Sequence, residues 1–131
     1  MWLIMCVDDE NDIVLSIDLY LKYTSKEFKF IGLNSGKACL EYLKNGELPD
    51  IILLDIMMPK MNGWEVYDKI REHHAWRHIP IVFFSGISDN ITKSIDGIIG
   101  DGFIQKPIEP EELINQIKCI LEPVRELTQR F

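Results

Sequence analysis

Cysteine is scarce in this sequence and never suitably spaced: Cys6, Cys39 and Cys119 lie far apart, with no Cys-x-x-Cys pair. That rules out a disulfide framework or a thiolate zinc site as the basis of the fold. The expectation is three buried, small apolar side chains in a reducing cytosol. Long hydrophobic runs are missing too, and no stretch is long enough to span a bilayer. The opening "MWLIMCVDDE" has neither the basic region nor the small-residue cleavage site of a secretory signal, so the expected location is cytoplasmic. Positive charge is in short supply: 14 Lys and Arg against 21 Asp and Glu give a formal charge of -7, with no basic cluster. An acidic surface repels a nucleic-acid backbone and an anionic membrane, so neither is expected as a partner. Repeats and low-complexity tracts are absent.

What is present is the apolar content of an ordinary globular domain. The 131 residues suffice for one core and fall short of two. Three runs, "WLIMCV" at 2–7, "DIILLD" at 50–55 and "IPIVFF" at 79–84, lack polar alternation. Strands covered on both faces read this way, which points to a parallel sheet. Weaker candidates, "FKFIGL" at 28–33 and "GFIQ" at 102–105, fall in the gaps, and amphipathic segments separate all five.

The first helix is expected to turn Ile13, Ile17, Tyr20 and Thr24 to one face after a cluster of Asp and Asn suited to capping. The second follows Ser35, places Ala38, Tyr42 and Leu43 inward and ends near Asn45-Gly46. The third starts at Asn62 with Glu65 three residues on, a capping-box spacing. A fourth, around 89–98, carries Gly97, Gly100 and several Ser, Thr and Asn residues, so it is expected to be short, loosely held and mobile. The fifth opens at Pro110 among Glu109, Glu111 and Glu112. Beyond it Leu113, Ile117, Ile120, Val124, Leu127 and Phe131 continue a helical stripe, but Pro123 is expected to stop or kink the helix near residue 122. Residues 1–121 read as the domain, and 122–131 as a tail or the start of a linker.

In a right-handed parallel α/β sheet all strands end at one edge, and ligands bind there where the strand order reverses. Just past the apolar runs stand Asp8, Asp9 and Glu10, then Asp55, Ser85 and Lys106. Converging carboxylates repel, so either they hold protons or a cation neutralises them. Mg²⁺ suits such an open site because it takes few carboxylates and keeps other positions for water or substrate. With a metal and Lys106 around it, an ionised Asp55 could attack phosphorus as a nucleophile. Ser85 would add a hydroxyl donor.

At residues 3 to about 121 the chain resembles the receiver domains of two-component response regulators. "VDDEN", "LLDIMMPKMNG", "FFSG" and "FIQKP" are similar to that family's four signature blocks, in order. The resemblance implies a flavodoxin-like α/β fold, one doubly wound five-stranded parallel sheet of order 2-1-3-4-5 with helices on both faces. It makes Asp55 the phosphoacceptor, and Asp9, Asp55 and the backbone carbonyl of Met57 the direct ligands of Mg²⁺, or Mn²⁺, with Asp8 acting through water. It makes Lys106 the cationic contact of the phosphoryl group and Ser85 and Phe103 the switch pair, with a cis Lys106-Pro107 bond. It implies a histidine kinase or phosphotransfer protein as donor, an output partner on the face of the fourth helix, fifth strand and fifth helix, and leaves a homodimer open. No other cofactor is implied, and the chain would be a self-modifying switch more than an enzyme.

Two departures bear on lifetime. Met57 and Ile87 are apolar where family members often carry polar groups, and neither can orient water, so slow hydrolysis is expected. A phosphate-independent docking module is the alternative, against which the intact Asp9, Asp55, Ser85 and Lys106 set counts. A haloacid-dehalogenase-type phosphatase would need an acid at Met57. His73, His74 and His78 fit a solvated helix end better than a metal site, since no fourth ligand lies near in sequence.

Overall fold

The computed structural model describes residues 1–86 and 102–130, with side chains described as far as residue 122. Along the chain come β1 (Trp2–Val7), α1 (Asn11–Thr24), β2 (Phe28–Leu33), α2 (Gly36–Asn45), β3 (Ile51–Leu54), α3 (Gly63–Glu72), β4 (Ile81–Ser85), β5 (Gly102–Gln105) and α4 (Pro110–Arg130). The strands form one sheet of order β2-β1-β3-β4-β5, every neighbouring pair parallel. The expected fourth helix, with its anticipated mobility, lies outside the described residues, as does Ile87.

The apolar runs lack alternation because both faces of the sheet are buried. Met5, Val7, Ile52, Leu54, Ile81 and Phe83 face α2 and α3, which contribute Cys39, Leu43, Val66 and Ile70. Ile4, Cys6, Ile51, Leu53, Val82 and Phe84 face α1 and α4, which contribute Ile17, Leu21, Leu113 and Ile117. Successive strand residues thus enter opposite cores, the period-two geometry of a pleated strand with no polar side to give.

Helix starts are set by side chains. Ser35 Oγ accepts from Ala38 N at 3.1 Å, and Asn62 Oδ1 accepts from Glu65 N at 3.0 Å. The first helix differs from expectation: its N-cap is Glu10, whose side chain makes no capping bond. Asp8, two residues upstream, instead accepts from Glu10 N at 2.8 Å. The last helix differs more, because it runs through Pro123 to Arg130. A proline removes one backbone donor, and the turns on either side keep theirs. Cys6 and Cys39 are buried as expected, whereas Cys119 is exposed on α4. Burial pushes the Cys39 thiol up to about 12 and raises the Cys6 thiol further. Among the described residues no helix is long and apolar enough to cross a membrane.

Phe83 sits at the centre of one core, fully buried, with Trp64 and Tyr67 ring centroids at 4.9 and 5.6 Å. Phe83→Ala should cost about 3–5 kcal/mol of stability through the cavity it leaves, whereas Leu15→Ala on the outer face of α1 should change it by less than about 0.5 kcal/mol. Urea unfolding of both variants checks the contrast, and a comparable loss in the two would contradict this assignment of the core.

Candidate functional site

The reversal of strand order falls between β1 and β3, whose ends deliver carboxylates to one edge. Backbone bonds carry the ladder one residue past each strand: Asp8 N donates to Leu33 O, Asp55 N to Val7 O and Lys106 N to Ser85 O, each at 2.9 Å. Positions of the functional residues are therefore tied to neighbouring strands and not left to loops. Asp8, Asp55 and Ser85 are the buried polar side chains among the described residues, none more than 4% exposed.

One oxygen from each of Asp8, Asp9 and Asp55 lies within 4.8 Å of the others, Asp9 being the exposed member. Lys106 Nζ contacts Asp8 Oδ2 at 2.5 Å, Glu10 Oε1 at 3.4 Å and Asp55 Oδ1 at 3.8 Å. Its ammonium also lies 5.1 Å from the Phe84 ring centroid. The Lys106-Pro107 bond is cis.

The electrostatics follow from burial and crowding. Asp55 is pushed up to about 6, first by burial and then by the Asp8 charge; Lys106 and a hydrogen bond from Ser85 pull it down, and Asp9 raises it slightly. For Lys106, burial alone would lower the ammonium's pKa, but the bond to Asp8 and the charges of Asp8, Asp55 and Glu10 outweigh it and hold the pKa above the usual lysine value. The edge therefore carries more acid than base, and a bound cation would relieve it.

The expected residues Asp8, Asp9, Asp55, Ser85 and Lys106 thus converge. Met57 follows Asp55 with its side chain 68% exposed. Phe103 is half-buried on β5, in register with Phe83 and packed against the Phe83 core. His73 stacks on Trp76 with ring centroids 3.6 Å apart, and its Nδ1 accepts from Ala75 N. The histidines form no metal cluster among the described residues.

Two contributors escaped the sequence reading. Glu10 was expected only as part of an acidic run, yet it reaches Lys106. Gly63 allows α3 to start against the acceptor strand: a Cβ there would stand 2.3 Å from the Asp55 carbonyl oxygen and 2.8 Å from Ile56 Cα. Gly63 N donates to Ile56 O at 2.8 Å. The Asn62-Gly63 pair, a helix start and the end of the "LLDIMMPKMNG" block, is the available signal in the sequence. Between Asp55 and Gly63, Lys60 adopts φ 68°, a left-handed turn that lets the segment double back.

A family model, response regulator receiver domain, matches residues 4–118. The chain is 34% identical over 119 residues to the regulatory protein VanR of Enterococcus faecium, covering 90% of this chain and 49% of that protein. It spans about half or less of the curated relatives it matches. The fold is shared with the signal receiver domain of a histidine kinase from Syntrophus aciditrophicus, with TM-score 0.80, 24% identity and coverage of 95% and 92% of the two chains. It is shared also with the BeF3-activated DrrB receiver domain, with TM-score 0.72, 25% identity and coverage of 93% and 98%.

The raised Asp55 carboxyl has a stability consequence. Ionising it opposes folding, so the cost is absent below its unfolded pKa and grows as pH rises through about 6. Without divalent metal, Asp55→Asn should therefore stabilise the protein by about 1–3 kcal/mol at about pH 8 and by almost nothing at about pH 4. Denaturant unfolding at both pH values checks this; a gain independent of pH, or a loss at the higher pH, would contradict it.

Proposed function

The chain belongs to the response regulator receiver domain family, and on that premise we propose that it accepts a phosphoryl group on Asp55 and acts as a switch in a two-component phosphorelay. The observation that carries this reading is a nearly buried carboxylate with a lysine ammonium 3.8 Å away and two further acids beside it. In the transfer, an Asp55 oxygen attacks phosphorus and the P–N bond of a phosphohistidine breaks. The electron pair leaves with the imidazole nitrogen. The donor would be a histidine kinase or a histidine phosphotransfer protein, the class of partner receiver domains work with.

The donor set fits a hard divalent cation, Mg²⁺ or Mn²⁺, which when bound would compensate charge on the phosphoryl oxygens. Asp9, Asp55 and the Met57 carbonyl would hold it directly. Asp8 already gives its oxygens to Lys106 and Glu10 N, which supports a role for it through water. Lys106 would meet the phosphoryl group from the other side, within reach of its present position. Ser85, hydrogen-bonded near Asp55, would turn toward the new oxygens, and Phe103 would follow into the space it leaves. Such a local charge change biases a two-state element, and the face of β5 and α4 would present the result to an output partner. The chain promotes only its own modification and its reversal.

Incubation with Mg²⁺ and acetyl phosphate should add one phosphate to the intact mass of the wild type and none to Asp55→Asn or to metal-free protein. An adduct that survives in Asp55→Asn would place the acceptor elsewhere, and no adduct with any donor would favour a phosphate-independent docking module. Met57 offers no hydrogen bond to attacking water, so Met57→Asn should shorten the phosphate lifetime about tenfold or more. Equal lifetimes in the two proteins, followed by loss of the mass adduct, would remove Met57 from the account.

A further inference from the structure

Glu10 is an N-cap residue that does not cap. Its backbone starts α1, with Ile13 N and Val14 N donating to Glu10 O, while its side chain turns away from the helix to lie 3.4 Å from Lys106 Nζ. Lys106 is therefore shared between two acids of opposite character. Asp8 is fully buried and cannot release the ammonium without stranding a charge, whereas the Glu10 side chain is 61% exposed and can return to water at little cost. Asp55, the third acid, stands at 3.8 Å, beyond hydrogen-bond reach.

We propose that Glu10 is a positioning residue that restrains Lys106 in the unphosphorylated state and releases it to follow an arriving phosphoryl group. The inference rests on the reading of Asp55 as phosphoacceptor. The ammonium has three N–H donors, and Asp8 and Glu10 take two of them. A phosphoryl group on Asp55 replaces a single negative charge with a larger one and adds acceptor oxygens. The pairing that gives way is the solvated one, with Glu10. Glu10 makes and breaks no covalent bond; it sets how much of the Lys106 charge Asp55 receives before transfer.

A merely electrostatic role at the rim is separable. Asp12 shares with Glu10 and Lys106 an open cavity of about 580 Å³, but it makes no contact with the ammonium among the described interactions. Glu10→Asp keeps the charge and withdraws the carboxylate from Lys106. Phosphorylation by acetyl phosphate, followed by intact mass, should be about two- to fivefold faster in Glu10→Gln and in Glu10→Asp than in wild type, the scale of one exposed ion pair, and unchanged in Asp12→Asn. Beryllofluoride affinity, read by calorimetry, should rise by the same factor in the two Glu10 variants. Because the Glu10 side chain does not cap α1, these variants should retain the fold. An unchanged or slower Glu10→Gln, a Glu10→Asp that behaves as wild type, or an equal gain in Asp12→Asn would overturn the restraint while leaving the acceptor in place. A wild type that takes no phosphate on Asp55 would overturn both.

Discussion

One ammonium serving several carboxylates is the constraint on which this site depends. Asp8 and Asp55 are both buried at the reversal of strand order, and among the described residues Lys106 is the cation that reaches them. Buried acids without a counter-charge would hold their protons, and a protonated Asp55 is a poor nucleophile. Asp55 is drawn partway in that direction already, which leaves the edge short of positive charge. That shortage of positive charge is what a bound cation would relieve.

The sheet makes this crowding sustainable. Asp8, Asp55 and Lys106 are each the first residue beyond a strand, and a ladder hydrogen bond to the adjacent strand anchors all three. Two-sided burial then leaves those strand ends no freedom to splay, because the side chains of 4–7, 51–54 and 81–84 each belong to one of two packed cores. Gly63 adds a close approach that no larger residue could make, seating the start of α3 against the Asp55 backbone. The electrostatic cost is thus met by packing well away from the charges, as expected where a functional site opposes local stability.

Flexibility of charge is distributed unevenly across the site. Asp8 is sealed and its bond to Lys106 is structural; Asp9 and Glu10 face water and can exchange partners. On the proposed reading, a site that gains and loses a doubly charged group would use both kinds, one to keep the lysine aimed and one to yield when the charge arrives. Aromatic contacts carry the arrangement inward, since Phe103 lies in register with Phe83, and Phe83 meets Trp64 and Tyr67 of α3.

Local chemistry by itself determined the parallel sheet, the positions of its five strands, the starts of α2 and α3 and the convergence of Asp8, Asp9, Asp55, Ser85 and Lys106, because unbroken apolar runs and polar residues just past them have few other solutions. It misjudged the end of α4, where a proline's single missing donor was weighed without the helix around it, and the capping of α1, where an Asp and Asn cluster suited to the role gives way to Glu10 with no side-chain capping bond. Only the tertiary structure decided which acid holds Lys106, that Glu10 joins it, that Cys119 faces water and that Gly63 touches Asp55. Those outcomes depend on distances between segments far apart in the chain, and no periodicity or spacing encodes how a lysine divides its charge among carboxylates that meet only after folding.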